Sequence, residues 1–198
     1  VDFKDGGKEM KRILAVLTVL TLAVFFGRSA LAEERIDSDR FKIGPGDVLE
    51  ISVWKDESLQ RQIVVPPDRV ISYPIIGDID VTDMSVTRLR EVVTERLSEY
   101  IPDATVTVLL NQITSLRVYL IGKANSPGVF PIDMETTVLQ VLAMAGGLNP
   151  FAAGDEIVIL RQEDGKTIKI PFNYEEVAEG KNIEQNIILK RGDVIVVP

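Results

Sequence analysis

A four-residue turn, Gly44-Pro45-Gly46-Asp47, stands directly ahead of a run in which apolar and polar side chains alternate, and no other stretch constrains this chain as tightly. Proline presets φ in such a turn, and the flanking glycines are free to take a positive φ. After the turn, Leu49, Ile51 and Val53 fall on one face of a half-buried strand, while Glu50, Ser52 and Trp54 fall on the other. Asp47 is placed to bond the turn's own backbone, which would set where the strand begins. A second strand, Ile63-Val64-Val65, ends at Pro66-Pro67-Asp68, and a third starts at Val70 and runs toward Pro74 and Gly77. The expectation is a hairpin-like pair joined through the Pro-Asp corner, awaiting a helix to cover it.

That helix comes next. After a short strand at residues 78–81, Ser85 is the expected N-cap, and Val86, Leu89, Val93 and Leu97 recur at helical spacing, with Val92 and Tyr100 widening the stripe. Arg88, Arg90, Glu91, Glu95, Arg96 and Glu99 take the other side, a mixed-charge surface that suits solvent or a subunit contact. Pro102 stops the helix. Residues 104–113 return to β alternation, so residues 41–115 read as one β-β-β-α-β domain. Residues 116–198 read as a second. A strand at 116–122, an Asn125-Ser126-Pro127-Gly128 turn and a strand at 129–132 form a hairpin. Thr137 and Gln140 then fit a capping box that opens a short helix buried through Val138, Val141, Leu142 and Ala145. Gly146-Gly147 closes it with a left-handed cap. Strands at 157–160 and 167–171 flank the Glu163-Asp164-Gly165 turn, and a last strand within 189–197 completes the sheet. The class is α+β, in two small domains. Gly192-Asp193-Val194 echoes the turn chemistry of Gly46-Asp47-Val48 without amounting to a repeat.

The chain has neither Cys nor His. Disulfides, thiolate nucleophiles, Ser-His-Asp triads and histidine metal sites are thereby excluded. Its formal charge is −8, a balance that repels nucleic-acid phosphates and argues against a DNA or RNA partner. Thirty acidic residues leave carboxylate acid–base chemistry open in principle. No pair of them stands out, since they fall mainly in turns and on the outer helix face; no catalytic residue, metal site or cofactor is assigned. Asp78, Asp80 and Asp83 lack the loop glycine and terminal glutamate of a calcium-binding loop and read as solvated strand-edge carboxylates. Gly146-Gly147 lies at a helix C-terminus, where the dipole disfavours phosphate. Trp54 either stacks on a sugar ring or packs beneath the helix; the area a tryptophan buries favours packing.

Residues 10–32 carry a secretory signal pattern: Lys11-Arg12, a fourteen-residue stretch from Ile13 to Phe26 that is mostly apolar, and Ala30-Leu31-Ala32 as an A-x-A cleavage site. The stretch is short for a membrane span, which needs about 20 residues, so cleavage is favoured over an uncleaved anchor. Residues 1–9 read as an upstream over-extension, and residues 33–40 as a polar leader. Residues 1–32 hold five basic and three acidic side chains, so the remainder stands near −10.

Two resemblances cover residues 41–198. Phe41, Ile43, Gly44, Pro45, Gly46, Asp47, Leu49, Ile51, Val53 and Trp54, followed by Pro67, Asp68, Pro74 and Gly77, resemble the export domain of the outer-membrane polysaccharide exporter family. Arg69 departs from that pattern, standing where a glycine is usual after the Asp; a positive φ there would cost an arginine on the order of 1 kcal/mol. Gly122, Pro127, Gly128, Phe130, Pro131, Leu139, Leu142, Ala145, Gly146, Gly147 and Leu148 resemble the soluble-ligand-binding β-grasp (SLBB) module. The resemblance implies a component of a capsular or extracellular polysaccharide export machine, periplasmic and associated with the outer membrane. It implies a homo-oligomeric ring that conducts the polymer and works with an inner-membrane chain-length regulator, or co-polymerase. No Cys follows the cleavage site to take a lipid anchor, and no amphipathic helix follows the last strand, so a separate outer-membrane pore is expected as a further partner. The alternative is a monomeric periplasmic module that binds or senses glycan without conducting it; a high-order oligomer or its absence separates the two.

Overall fold

The computed structural model describes residues 40–198, which fall in one compact unit built around two hydrophobic cores. The expected signal segment, the upstream residues 1–9 and all but the last residue of the polar leader lie outside the described residues. Within them the chain is α+β, with ten strands and three α-helices.

The first core is wrapped by two small sheets. Strands β1 (Val48–Val53), β2 (Asp56–Val64) and β5 (Val106–Gln112) form an antiparallel sheet in the order β2-β1-β5, and β3 (Val70–Tyr73) pairs with β4 (Gly77–Asp80). Leu49, Ile51 and Val53 are buried, as alternation requires. Helix α1 (Val86–Ser98) packs on β5, burying Leu89, Val92, Val93 and Leu97, and Ser85 caps it by accepting the Arg88 N–H at 3.1 Å. Tyr73 is buried with its hydroxyl donating to the Leu59 carbonyl at 2.6 Å, and desolvation raises its pKa above the usual phenol value.

The second core lies under a five-stranded sheet. Strands β6 (Arg117–Gly122), β7 (Gly128–Pro131), β8 (Ile157–Glu163), β9 (Lys166–Phe172) and β10 (Val194–Val197) are ordered β7-β6-β10-β8-β9. Helix α2 (Val138–Met144) covers one face through Val138, Val141 and Leu142, and Gln140 accepts the Thr137 N–H at 2.7 Å. A short helix, α3 (Tyr174–Ala178), adds Val177 to this core.

The structure revises several expectations. The second strand begins at Asp56, not Ile63. Trp54-Lys55 makes a two-residue hairpin turn, Lys55 takes φ +66°, and β2 pairs with β1 rather than with the strand beyond the prolines. The Pro66–Arg69 corner therefore carries the chain from one sheet to the other. All four strands read ahead of α1 are present, one more than the β-β-β-α-β shorthand counts. Tyr100 lies past the end of α1 and is exposed instead of extending its stripe. The last strand runs through the middle of its sheet, parallel to β6 and antiparallel to β8. Trp54 does not pack beneath the helix; it is 73% exposed.

Candidate functional site

The motif residues gather at turns, and each turn has a job in hydrogen bonding. Asp47 is fully buried and its carboxylate accepts four bonds. Oδ2 takes the Gly44 N–H at 2.8 Å and the Ser115 hydroxyl at 2.8 Å; Oδ1 takes the Thr114 N–H at 2.9 Å and the Ser115 N–H at 2.8 Å. A buried carboxylate is stable only when its lone pairs are met in this way. Gly46, at φ +89°, lets its own N–H reach the Val65 carbonyl at 2.8 Å, next to the Pro67-Asp68 corner. At that corner Arg69 takes φ +59°, the strained case foreseen for a residue with a side chain. Pro74 and Gly77 frame the β3–β4 hairpin, where the Ile76 N–H turns back to the Pro74 carbonyl and Ile75 stands exposed at φ +72°.

A second Asp-anchored turn, Lys190-Arg191-Gly192-Asp193, leads into β10. Asp193 is 1% exposed and Arg161 reaches it from the inner face of β8: Nε at 3.0 Å from Oδ1 and Nη2 at 2.7 Å from Oδ2. Oδ2 also accepts the Lys190 N–H at 2.8 Å. This ion pair was not anticipated, although the alternation of Ile157 and Ile159 carried one step further puts Arg161 inside. Arg191 of the same turn lies over the Phe41 ring at 5.7 Å and donates to the Lys42 carbonyl, linking the second module to the start of the first. Burial lowers its pKa from the ordinary guanidinium value, opposed by the nearby Asp47 carboxylate. Gly44 lies so close that an added Cβ would fall 2.2 Å from Arg191 Nη1.

The glycines of the second motif meet at one end of the second core. The β6–β7 turn, which holds Pro127 and leads into Gly128 at the start of β7, sits on the C-terminus of α2: Ser126 N–H bonds the Ala145 carbonyl at 3.0 Å, Asn125 N–H that of Gly147 at 3.0 Å, and Asn125 Nδ2 that of Gly146 at 2.7 Å. The turn thus satisfies carbonyls that the helix and its cap leave open. Gly122 has no room for a side chain, since a Cβ would lie 1.9 Å from the Val197 carbonyl oxygen. Pro131 stands apart, at the far end of β7.

Two outward faces remain. The side of the five-stranded sheet away from α2 is apolar: Tyr119, Ile121 and Val129 are exposed, and Val158, Val194 and Val196 are half-buried beside them. Toward β9 it dips into a cleft of about 660 Å³ bounded by Leu160, Lys169, Pro171 and Pro198. The outward side of the three-stranded sheet is mixed: Glu50 is joined to Gln60 and Asn111, Leu109 and Val64 are exposed beside them, and Trp54 stands at the tip. Among the described residues no three acidic side chains converge as a metal site, and no helix is long and apolar enough to cross a membrane.

Comparison with known proteins returns matches on both halves. The family model of polysaccharide biosynthesis/export proteins matches residues 36–111, and that of the SLBB domain residues 117–171. Similar proteins include the EPS I polysaccharide export outer membrane protein EpsA of Ralstonia nicotianae, 27% identical over 181 residues covering 78% of this chain and 46% of the relative. The polysialic acid transport protein KpsD of Escherichia coli is 25% identical over 141 residues, 70% of this chain and 25% of the relative. The capsule polysaccharide export outer membrane protein CtrA of Neisseria meningitidis is 25% identical over 169 residues, 76% and 42% respectively. The chain spans about half, or less, of the length of these relatives.

Proposed function

Since the chain belongs to the polysaccharide biosynthesis/export family and carries an SLBB domain, we propose that it is a periplasmic, outer-membrane-associated part of a machine that exports capsular or extracellular polysaccharide. Copies assemble side by side into a ring, and the polymer passes through without being cut or modified. The observation that carries this reading is the match of both modules in succession, residues 36–111 and 117–171, to proteins whose relatives are named for polysaccharide export. Physical features support it. A ring needs two different patches per subunit that meet head to tail and close by rotation, and the apolar outer face of the five-stranded sheet is a surface of the kind such contacts use. Asp47 fixes the end of the first module at Thr114 and Ser115, and Arg191 of the second module bonds Lys42 and lies over Phe41, which suits a subunit that must repeat at a constant angle. An inner-membrane chain-length regulator is the expected partner on the cytoplasmic side of the ring.

The test has two arms. Deleting the gene should leave polymer inside the cell and remove it from the medium; unchanged secretion would overturn the export role. Native mass spectrometry of the protein should show a closed high-order oligomer, and a monomer at all concentrations would remove the ring.

A further inference from the structure

Resting on the export reading above, we propose that the outward face of the three-stranded sheet is a sugar-docking strip, with Trp54 as the stacking platform for one uncharged ring of the polymer. The tryptophan is 73% exposed, yet its backbone is held: the Trp54 N–H donates to the Thr105 carbonyl at 2.9 Å, and the two-residue turn fixes the approach to β2. A large aromatic surface left in water on a rigid hairpin is preorganised for a flat apolar partner, because little ordering remains to be done on binding.

Its surroundings say which partner. Trp54 lines a hollow of about 220 Å³ together with Ser52, Lys55, Asp56, Glu57 and Gln60. Apart from the buried Val53, these are hydroxyl, amide and charged groups, not the apolar ring that gathers around an aromatic anchor in a protein interface. Gln60 Nε2 donates to Glu50 Oε1 at 2.8 Å, and Asn111 Nδ2 donates to Glu50 Oε2 at 2.8 Å. Those bonds hold the Glu50 carboxyl below the usual carboxylate range and fix both amides in orientation. Each amide keeps a second N–H and a carbonyl for a neighbouring hydroxyl. A sugar ring offers what this strip lacks: an apolar C–H face for the indole and equatorial hydroxyls for the amides. Glu50, Asp56 and Glu57 outnumber Lys55, so the local field disfavours a polyanionic segment and selects a neutral one.

Trp54 is the chain's one tryptophan, so intrinsic emission reports on this site alone. The full chain is titrated with oligosaccharides prepared by partial hydrolysis of the producing strain's own secreted polymer, with oligogalacturonate as the polyanionic counter-probe. The expected result is a saturable emission change with the native oligosaccharides and a much weaker one with oligogalacturonate. By calorimetry, Trp54→Ala should weaken binding about tenfold or more, Trp54→Phe less, and Gln60→Ala or Asn111→Ala by about threefold. Phe151→Ala, another exposed aromatic, should change nothing. Absence of binding, or binding that leaves Trp54 emission unmoved, overturns the site. So does an emission change that follows protein concentration instead of sugar, which would make Trp54 a contact between copies. In cells, a Trp54→Ala allele that restores full secretion to the deletion strain removes the strip but keeps the export role, whereas secretion that never needed the gene removes both.

Discussion

Asp47 and Asp193 occupy the same kind of turn in the two modules and are satisfied in opposite ways. In both, a glycine with φ near +85° precedes the Asp, the Asp N–H returns to the residue three before it at 3.1 Å, and Oδ2 accepts that residue's N–H at 2.8 Å. In both, the glycine N–H and the Asp carbonyl also bond a neighbouring segment, residue 65 in one case and residues 117 and 119 in the other. The difference lies in the rest of the carboxylate. Asp47 meets only neutral donors, two of them backbone, from the junction at Thr114 and Ser115. Asp193 meets the guanidinium of Arg161 inside its own module. Neutral donors spread along the backbone tie a turn to a distant segment of chain, whereas a buried ion pair concentrates the stabilisation in one partner whose loss strands a charge.

That contrast can be broken most forcefully at Arg161. Arg161→Ala leaves the Asp193 carboxylate buried without its cation and should cost about 3–5 kcal/mol in chemical denaturation. Asp47→Asn leaves no unpaired carboxylate, but it turns an acceptor into a donor facing the Gly44 N–H and removes an anion near the half-buried Arg191; it should cost about 2–3 kcal/mol in the same experiment. Ser115→Ala removes one hydroxyl bond to the carboxylate while sparing the backbone ones; a loss of about 1.5 kcal/mol is expected. Equal losses for Arg161→Ala and Ser115→Ala would erase the distinction between the two turns. The smallest effect sharpens the role of glycine in both: Arg69→Gly relieves a side chain held at φ +59° and should gain about 0.5 kcal/mol, seen as a small rise in Tm.

What the sequence made legible follows from side-chain periodicity. β1 and α1 announce themselves because one face of each is apolar and the other is not, whereas the β6–β7 hairpin, apolar on both faces, is marked by its Asn125-Ser126-Pro127-Gly128 turn and α2 by its capping box and the glycine pair after it. β2 was half missed for the converse reason. Residues 56–62 contribute only Leu59 to the core, so an edge strand with most side chains in water carries no alternation to read. The pairing of β2 with β1 was missed with it, since Trp54-Lys55 is not a usual hairpin pair and Lys55 adopts its positive φ despite its side chain. The central position of β10 depends on a parallel pairing with β6 more than 70 residues away, which local pattern cannot supply. Trp54 inverted the general rule on burial, and only its place at a hairpin tip explains that. The Arg161–Asp193 pair was within reach, because strand alternation already turned Arg161 inward toward a turn whose Asp needed a donor.

The bonds from Asp47 to residues 114 and 115 have a mechanical consequence. A swivel at that junction would let one module sweep a cone relative to the other, and small angular errors would grow with the lever arm. Here three bonds to the buried Asp47 carboxylate pin the end of the first module to its own first turn, and Arg191 of the second module reaches back to Lys42 and Phe41, so the joint is held from both sides. The joint therefore acts as a bracket, and whatever seats itself against one module meets the other at a set tilt.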